Sequence, residues 1–161
     1  AGCSSGEECY TLAMLLQDYK DQGGWLPSFS IVGTDISEQA LAVAQKGRYP
    51  VRELENIPAL WQQKYLSMDE AGTSFNIGRA IREKVRFQHM NLLKPSVGLG
   101  QYDLVLCRNV MIYFSEDARE RLIGQLYRAL KPGGYLFVGH TELLAWNSAQ
   151  FQYICPAVYR K

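Results

Sequence analysis

Residues 102–139 read YDLVLCRNVMIYFSEDARERLIGQLYRALKPGGYLFVG, and the fold class follows from this stretch. The apolar run 102–107 has the length and composition of a strand buried on both faces. Ser115, Glu116 and Asp117 then open a helix in which Leu122, Ile123, Leu126, Tyr127 and Leu130 recur at helical spacing. Lys131-Pro132-Gly133-Gly134 ends it, and residues 135–139 (YLFVG) form a second apolar strand. A strand, a helix and a strand of these lengths place the two strands parallel, joined by a right-handed crossover.

The same alternation extends toward the N-terminus. Ser5, Gly6, Glu7 and Glu8 have the S-x-x-E form of a capping box, followed by Cys9, Leu12, Ala13, Leu16 and Tyr19 on one helical face. A helix over about 6–20 is expected, stopped by Gly23, Gly24 and Pro27. Residues 29–34 (FSIVGT) read as a strand ending at Asp35, after which Ser37 caps a second helix carrying Ala40, Leu41 and Ala44 inward, with Gly47 as its stop. From 49 to about 82 the alternation is interrupted, with Asn56-Ile57-Pro58 and a polar loop at 69–74, as an insertion would interrupt it. Beyond that loop Phe75, Ile77, Ile81, Val85 and Phe87 share one parity and Arg82, Lys84 and Arg86 the other. Extended chain with a cationic face is expected there, against the placement of Arg79 and Glu83. Residues 151–153 and 157–159 form a closing antiparallel pair. The sum is an α/β domain with a doubly wound, mostly parallel sheet. Such sheets bind ligands at the carboxyl ends of their strands, here residues 2–8, Asp35, Asn91-Leu92, 107–113 and 140–142.

Composition removes several function classes. Seventeen Lys and Arg against 16 Asp and Glu give a formal charge of +1 over 161 residues. The molecule thus has no overall field for nucleic acid or an anionic membrane, and affinity for either would have to come from a local patch; no nucleic-acid partner and no direct membrane insertion are expected. Four cysteines without C-x-x-C spacing and two histidines argue against a metal centre or a disulfide framework. No apolar run approaches the ~20 residues of a membrane span, and no leader peptide is visible, so a cytoplasmic location with reduced thiols is expected.

Gly2-Cys3-Ser4-Ser5-Gly6 supplies small residues and backbone N–H groups ahead of a helix. It is not G-x-G-x-x-G, and Glu7 and Glu8 would repel a pyrophosphate, so an uncharged or cationic ligand suits it better. Glu8 is either half of the capping box or a carboxylate that receives ligand hydrogen bonds. Asp35 either complements the dipole of the helix behind it or holds the two hydroxyls of a ribose. Taken together, Asp35 and Glu8 suggest a ribosyl ligand without phosphates, a description that S-adenosylmethionine answers.

The segments AGCSSGEECYTLAMLL (1–16), VGTDIS (32–37), Asn91-Leu92, LCRNVMIYF (106–114) and LKPGGYLFVGHTE (130–142), with a final Phe-containing stretch, occur in the order seen in the CheR family. The chain resembles those bacterial protein-glutamate O-methyltransferases, which modify chemoreceptors. CRNVMIYF is the most specific of these runs. The resemblance implies a class I, Rossmann-like methyltransferase domain over 1–161 with a small antiparallel β insertion at about 50–84. It also implies that the family's first strand and helical N-terminal domain lie outside this stretch. Those parts contribute cofactor and substrate contacts in the family, so the segment by itself is expected to fall short of full activity.

By position, the resemblance assigns Gly2, Glu8 and Asp35 to the cofactor, with Glu8 and Asp35 on its amino-acid part or ribose. Asn91 and Leu92 line the adenine, Arg108 and Asn109 follow the pocket floor, and Tyr113 faces the reactive methyl. Tyr113 and Arg108 are the catalytic candidates. The plainer alternatives are an aromatic core residue for Tyr113, beside Ile112 and Phe114, and a surface ion-pair partner for Arg108. A glutamate acceptor is already an anion at neutral pH, so no general base is required and His140 is not needed as one. The implied partners are cytoplasmic helices of methyl-accepting chemoreceptors, toward which the cationic stripe would turn. The implied product is S-adenosylhomocysteine. A small-molecule methyltransferase and a non-catalytic cofactor-binding module are the competing functions.

Overall fold

The computed structural model describes residues 1–94, 101–142 and 150–161. They form two compact units, Cys3–Met90 on the one hand and Ala1–Gly2 with Asn91–Lys161 on the other.

In the first unit the order is α1 (Glu7–Asp21), β1 (Ile31–Asp35), α2 (Glu38–Lys46), β2 (Arg48–Pro50), a 3-10 turn (Val51–Asn56), α3 (Ala59–Tyr65), β3 (Leu66–Met68), β4 (Ser74–Ile77), α4 (Arg79–Arg82) and β5 (Val85–His89). β1 and β5 pair in parallel, from Ile31 opposite Val85 to Asp35 opposite His89. β2 and β3 flank β4 in an antiparallel sheet, the small insertion within the α/β framework. Tyr10, Met14, Leu41, Tyr49, Phe75 and Ile81 build the core. Tyr10 meets Phe87 edge to face at 5.5 Å and Tyr49 at 6.3 Å.

α2 follows its punctuation closely: the Ser37 hydroxyl accepts the Ala40 N–H, and Gly47 closes the helix in the left-handed region at φ 58°. The start of α1 differs from expectation. Gly6, at φ 93°, occupies the cap position with no side-chain cap bond, and the Ser5 hydroxyl donates instead to the Glu7 carboxylate at 2.7 Å. The capping box does not form, because the left-handed glycine shifts the helix start one residue past the serine.

The continuous cationic strand expected over 75–87 is also overturned. β4 stops at Ile77, the chain makes one helical turn through α4, and β5 begins only at Val85. Arg79 and Glu83, the two residues that break the alternation, are helix partners four apart at 2.6 Å. The turn buries Ile81 completely. Arg82 donates to the Gln45 carbonyl, Lys84 stands 5.7 Å from the centre of the Phe29 ring, and Arg86 is exposed on β5. These cations share no strand face.

In the second unit, β6 (Tyr102–Cys107) leads through a 3-10 turn (Met111–Tyr113) to α5 (Glu116–Ala129), β7 (Leu130–Val138), β8 (Gln152–Cys155) and β9 (Val158–Arg160). The sheet order is β6-β7-β9-β8, with β6 and β7 parallel and the other neighbours antiparallel. α5 buries Ala118, Leu122 and Leu126. The Lys161 ammonium donates to the carbonyls of Tyr127 and Leu130, covering acceptors that a helix end leaves open. β7 begins at Leu130 rather than Tyr135, because Leu130 already pairs with Tyr102 ahead of a register shift. β6 is not buried throughout: only Cys107 is fully enclosed, and Asp103 is exposed and bound to Lys131 at 2.8 Å. Its position at the edge of the sheet accounts for this. The parallel strands therefore fall in two sheets, β1–β5 and β6–β7, each within one unit.

Among the described residues, no helix is long and apolar enough to cross a membrane and no cluster of potential metal ligands occurs. None of the four cysteines is in a disulfide; Cys3, Cys9 and Cys107 are buried and Cys155 is exposed.

Candidate functional site

In the first unit the candidate residues gather at the end of β1. The Cys3 N–H donates to the Thr34 carbonyl at 2.9 Å, which lays the glycine loop along the strand tip. Asp35 fastens it there: Oδ2 accepts the Ser4 N–H at 2.8 Å and Oδ1 accepts the Ser37 N–H at 2.9 Å. Each oxygen keeps a free lone-pair direction, and Asp35 is only half-buried. The cap of α2 is the Ser37 hydroxyl, and Asp35 meets the start of that helix through the Ser37 N–H. Glu8, in the first turn of α1, is half-buried. The buried Tyr49 phenol donates to the Ser5 carbonyl at 2.7 Å, tying β2 of the insertion to the loop. Burial, and then the Glu7 carboxylate, push that phenol well above the ordinary tyrosine range.

The loop and first helical turn contain Glu7 and Glu8, and no Lys or Arg occurs before Lys20. That set of acceptors fits the ribose hydroxyls and the ammonium group of S-adenosylmethionine and disfavours a phosphate.

In the second unit the candidates lie past the ends of β6 and β7. Arg108 and Asn109 follow Cys107 directly and are exposed, Asn109 with φ 58°. Gly2 is in the left-handed region at φ 69° and lies against Val110. The turn that follows divides inside from outside: Met111 is buried, Phe114 packs on the core, and Tyr113 is 81% exposed. Tyr113 is therefore not the core aromatic that its neighbours in sequence allowed. Asn91 accepts the Leu93 N–H on its own side-chain oxygen at 2.9 Å, and Leu92 packs on the core cluster of Cys107 and Met111. His140 is exposed.

Glu142 holds this region together. It is 6% exposed, and Oε2 accepts the N–H groups of Asn109 at 2.6 Å and Gly139 at 2.9 Å. Oε1 accepts those of Met111 at 2.6 Å and Ile112 at 3.2 Å. A Cβ on Gly139 would stand 2.6 Å from Glu142 Oε2 and 2.8 Å from Asn109 Oδ1, so only glycine leaves room for the carboxylate.

A family model described as CheR methyltransferase, SAM binding domain, matches residues 1–159. The chain belongs to the CheR methyltransferase family. It is 38% identical over 162 residues to a chemotaxis protein methyltransferase of Borreliella burgdorferi, covering all of this chain and 56% of that protein. It is 36% identical over 147 residues to chemotaxis protein methyltransferase 1 of Pseudomonas aeruginosa, covering 89% of this chain and 53% of that one. The chain thus spans about half the length of these CheR-type relatives. A SAM-dependent methyltransferase structure from Methanosarcina mazei superposes with a TM-score of 0.50 at 22% identity, over 85% of this chain and 48% of that one. That likeness shows the fold, the Rossmann-like α/β architecture of class I methyltransferases.

Of the candidates read from the sequence, Glu8 and Asp35 belong to the first unit, and Gly2, Asn91, Leu92, Arg108, Asn109 and Tyr113 to the second. Within the units, the structure joins Asp35 to the glycine loop and puts Arg108, Asn109 and Tyr113 on one turn. Glu142 lies in the strand end 140–142 that the sequence marks out, but the sequence assigns it no role of its own, although it ends the CheR-like run LKPGGYLFVGHTE three residues beyond Gly139. The signal available was an acid directly behind a buried strand. The partners that give it meaning are about 30 residues away in sequence. Tyr49, whose phenol holds Ser5, was missed for the same reason.

Proposed function

We propose that this chain is the S-adenosylmethionine-binding part of a protein-glutamate O-methyltransferase whose acceptors are glutamates on the cytoplasmic helices of methyl-accepting chemoreceptors. The observation that carries this reading is the tip of β1. There Asp35 is held by two backbone N–H groups with acceptor capacity to spare, beside a loop with two carboxylates and no cation.

Asp35 accepts the ribose hydroxyls, and Glu8 takes hydrogen bonds from the ribose or the amino-acid part. Gly2 lets backbone approach the ligand closely, Asn91 and Leu92 line the adenine, and Arg108 and Asn109 form the floor. When bound, the cofactor supplies a methyl carbon activated by a positively charged sulfur. Tyr113 offers an aromatic face to that charge, an interaction of ~0.5–2 kcal/mol, and its phenol orders the acceptor carboxylate. The acceptor, with a reference pKa of ~4.3, is an anion at neutral pH and gives up no proton. The protein's work is in-line placement and partial removal of water from two opposite charges. His140 has no part in it.

The test is transfer of labelled methyl from S-adenosylmethionine by the full-length protein to a receptor cytoplasmic fragment. Incorporation into receptor that is released by mild base as methanol is expected of a glutamyl ester. Base-stable label, or label on a small molecule only, contradicts the reading, and no transfer despite cofactor binding favours a non-catalytic module.

A further inference from the structure

We propose that Glu142 is a positioning residue, whose buried carboxylate sets the backbone of the 109–113 turn and thereby the outward presentation of Tyr113. The role assigned to Tyr113 rests on the function proposed above; the setting of the turn does not.

Cys107 and Val138 are the last paired residues of two parallel neighbours. Past them the ladder ends, and amide groups near the core need other acceptors. The chain returns from β7 in a tight turn, with the Glu142 N–H on the Gly139 carbonyl at 2.9 Å, and this delivers the carboxylate back between the two tips. Four N–H groups then converge on it, three of them from the turn after β6. Asn109 is in the left-handed region, which asparagine tolerates better than other non-glycine residues, and it reverses the chain there. Its own N–H makes one of the shortest of the four bonds. Met111 and Ile112 share Oε1, and this common acceptor orients the 3-10 turn so that Met111 enters the core while Tyr113, two residues on, stays 81% exposed. The four bonds join backbone to one side chain, so the turn has a single adjustable anchor.

Glu142→Gln tests this in the full-length protein. The amide keeps the shape but presents NH2 to two of the four donors. The amide protons of Asn109, Met111, Ile112 and Gly139 are expected to move upfield by NMR, together with a shift of the Tyr113 ring signals. Methyl transfer measured well below the unfolding temperature is expected to lose at least tenfold in kcat, with the dissociation constant for S-adenosylhomocysteine within threefold of wild type. Gly139→Ala, which displaces Oε2 from the other side, is expected to reproduce the pattern and serves if the first variant fails to fold. Unmoved amide and Tyr113 signals, or a wild-type kcat in both folded variants, overturn the proposal. A wild-type protein that transfers no methyl overturns the proposed function instead, and the NMR signals then decide the setting of the turn without it.

Discussion

The Glu142 carboxylate accepts the Asn109 N–H at 2.6 Å, and so joins the end of β7 to the residue that turns the chain away from β6. Removing the acceptor leaves four backbone donors to find water in a region where Glu142 itself is 6% exposed. Glu142→Ala is expected to destabilise the protein by ~2–4 kcal/mol, the scale of unsatisfied buried donors after partial hydration. The urea midpoint of the full-length protein checks this, and a midpoint equal to wild type would show the four bonds to be replaceable by solvent.

Tyr113 divides into a ring and a hydroxyl, which two substitutions separate. Tyr113→Phe keeps the aromatic face and is expected to lower kcat by about three- to tenfold, the loss of one ordering hydrogen bond. Tyr113→Ala removes both and is expected to cost a further factor of up to about 30, the upper range of a cation–π contact. Because Tyr113 is 81% exposed, thermal unfolding is expected to be the same for both variants and the wild type. An alanine variant with full kcat would remove Tyr113 from the reaction.

Much of the framework is readable in the sequence. The β6-α5-β7 stretch declares itself through apolar periodicity and a Lys-Pro-Gly-Gly stop, and the Ser37 and Gly47 punctuation of α2 is met residue for residue. That Asp35 ends a strand was legible from the apolar run ahead of it. What failed shares one cause. Ile81 satisfies strand parity and also the buried side of a helical turn, and parity cannot choose between them; the i,i+4 relation of Arg79 and Glu83 was the better guide. Ser5 matches a capping box locally, yet a left-handed Gly6 displaces it. Three of the four Glu142 bonds and the Tyr49 bond reach residues 30 or more positions away, and no local pattern records such partners.

Acid sensitivity is expected from the insertion. The Asp69 carboxylate accepts the hydroxyl and N–H of Ser74 and those of Thr73, and pairs with Arg48 at 2.7 Å. The Ser74 bonds, first the hydroxyl and then the N–H, hold its pKa well below the ordinary carboxylate range. The Lys64 hydrogen bond lowers that of Asp18. A depressed folded-state pKa contributes stability that is complete above the unfolded value of ~3.9 and is lost as pH falls toward the folded one. The urea midpoint is therefore expected to be level from neutral pH to about 5 and to fall below about 4, with a shallower fall in Asp69→Asn. An identical acid limb in that variant would discount Asp69.

Tyr49→Phe removes the donor to the Ser5 carbonyl and nothing else. A loss of ~1 kcal/mol in stability is expected from one buried hydrogen bond, with weaker binding of S-adenosylhomocysteine by about two- to fivefold as the glycine loop loosens. Denaturation and calorimetry on the same preparation measure both, and unchanged affinity would show that the insertion does not support the loop.

The most direct measurement is calorimetric titration of S-adenosylhomocysteine into the full-length protein and its Asp35→Ala variant. One site per molecule is expected in the wild type, with affinity at least tenfold weaker in the variant at a temperature where both are folded, the scale of lost hydrogen bonds to a carboxylate. No heat from the wild type, or equal affinity in the two proteins, would contradict the assignment of the β1 tip to the cofactor.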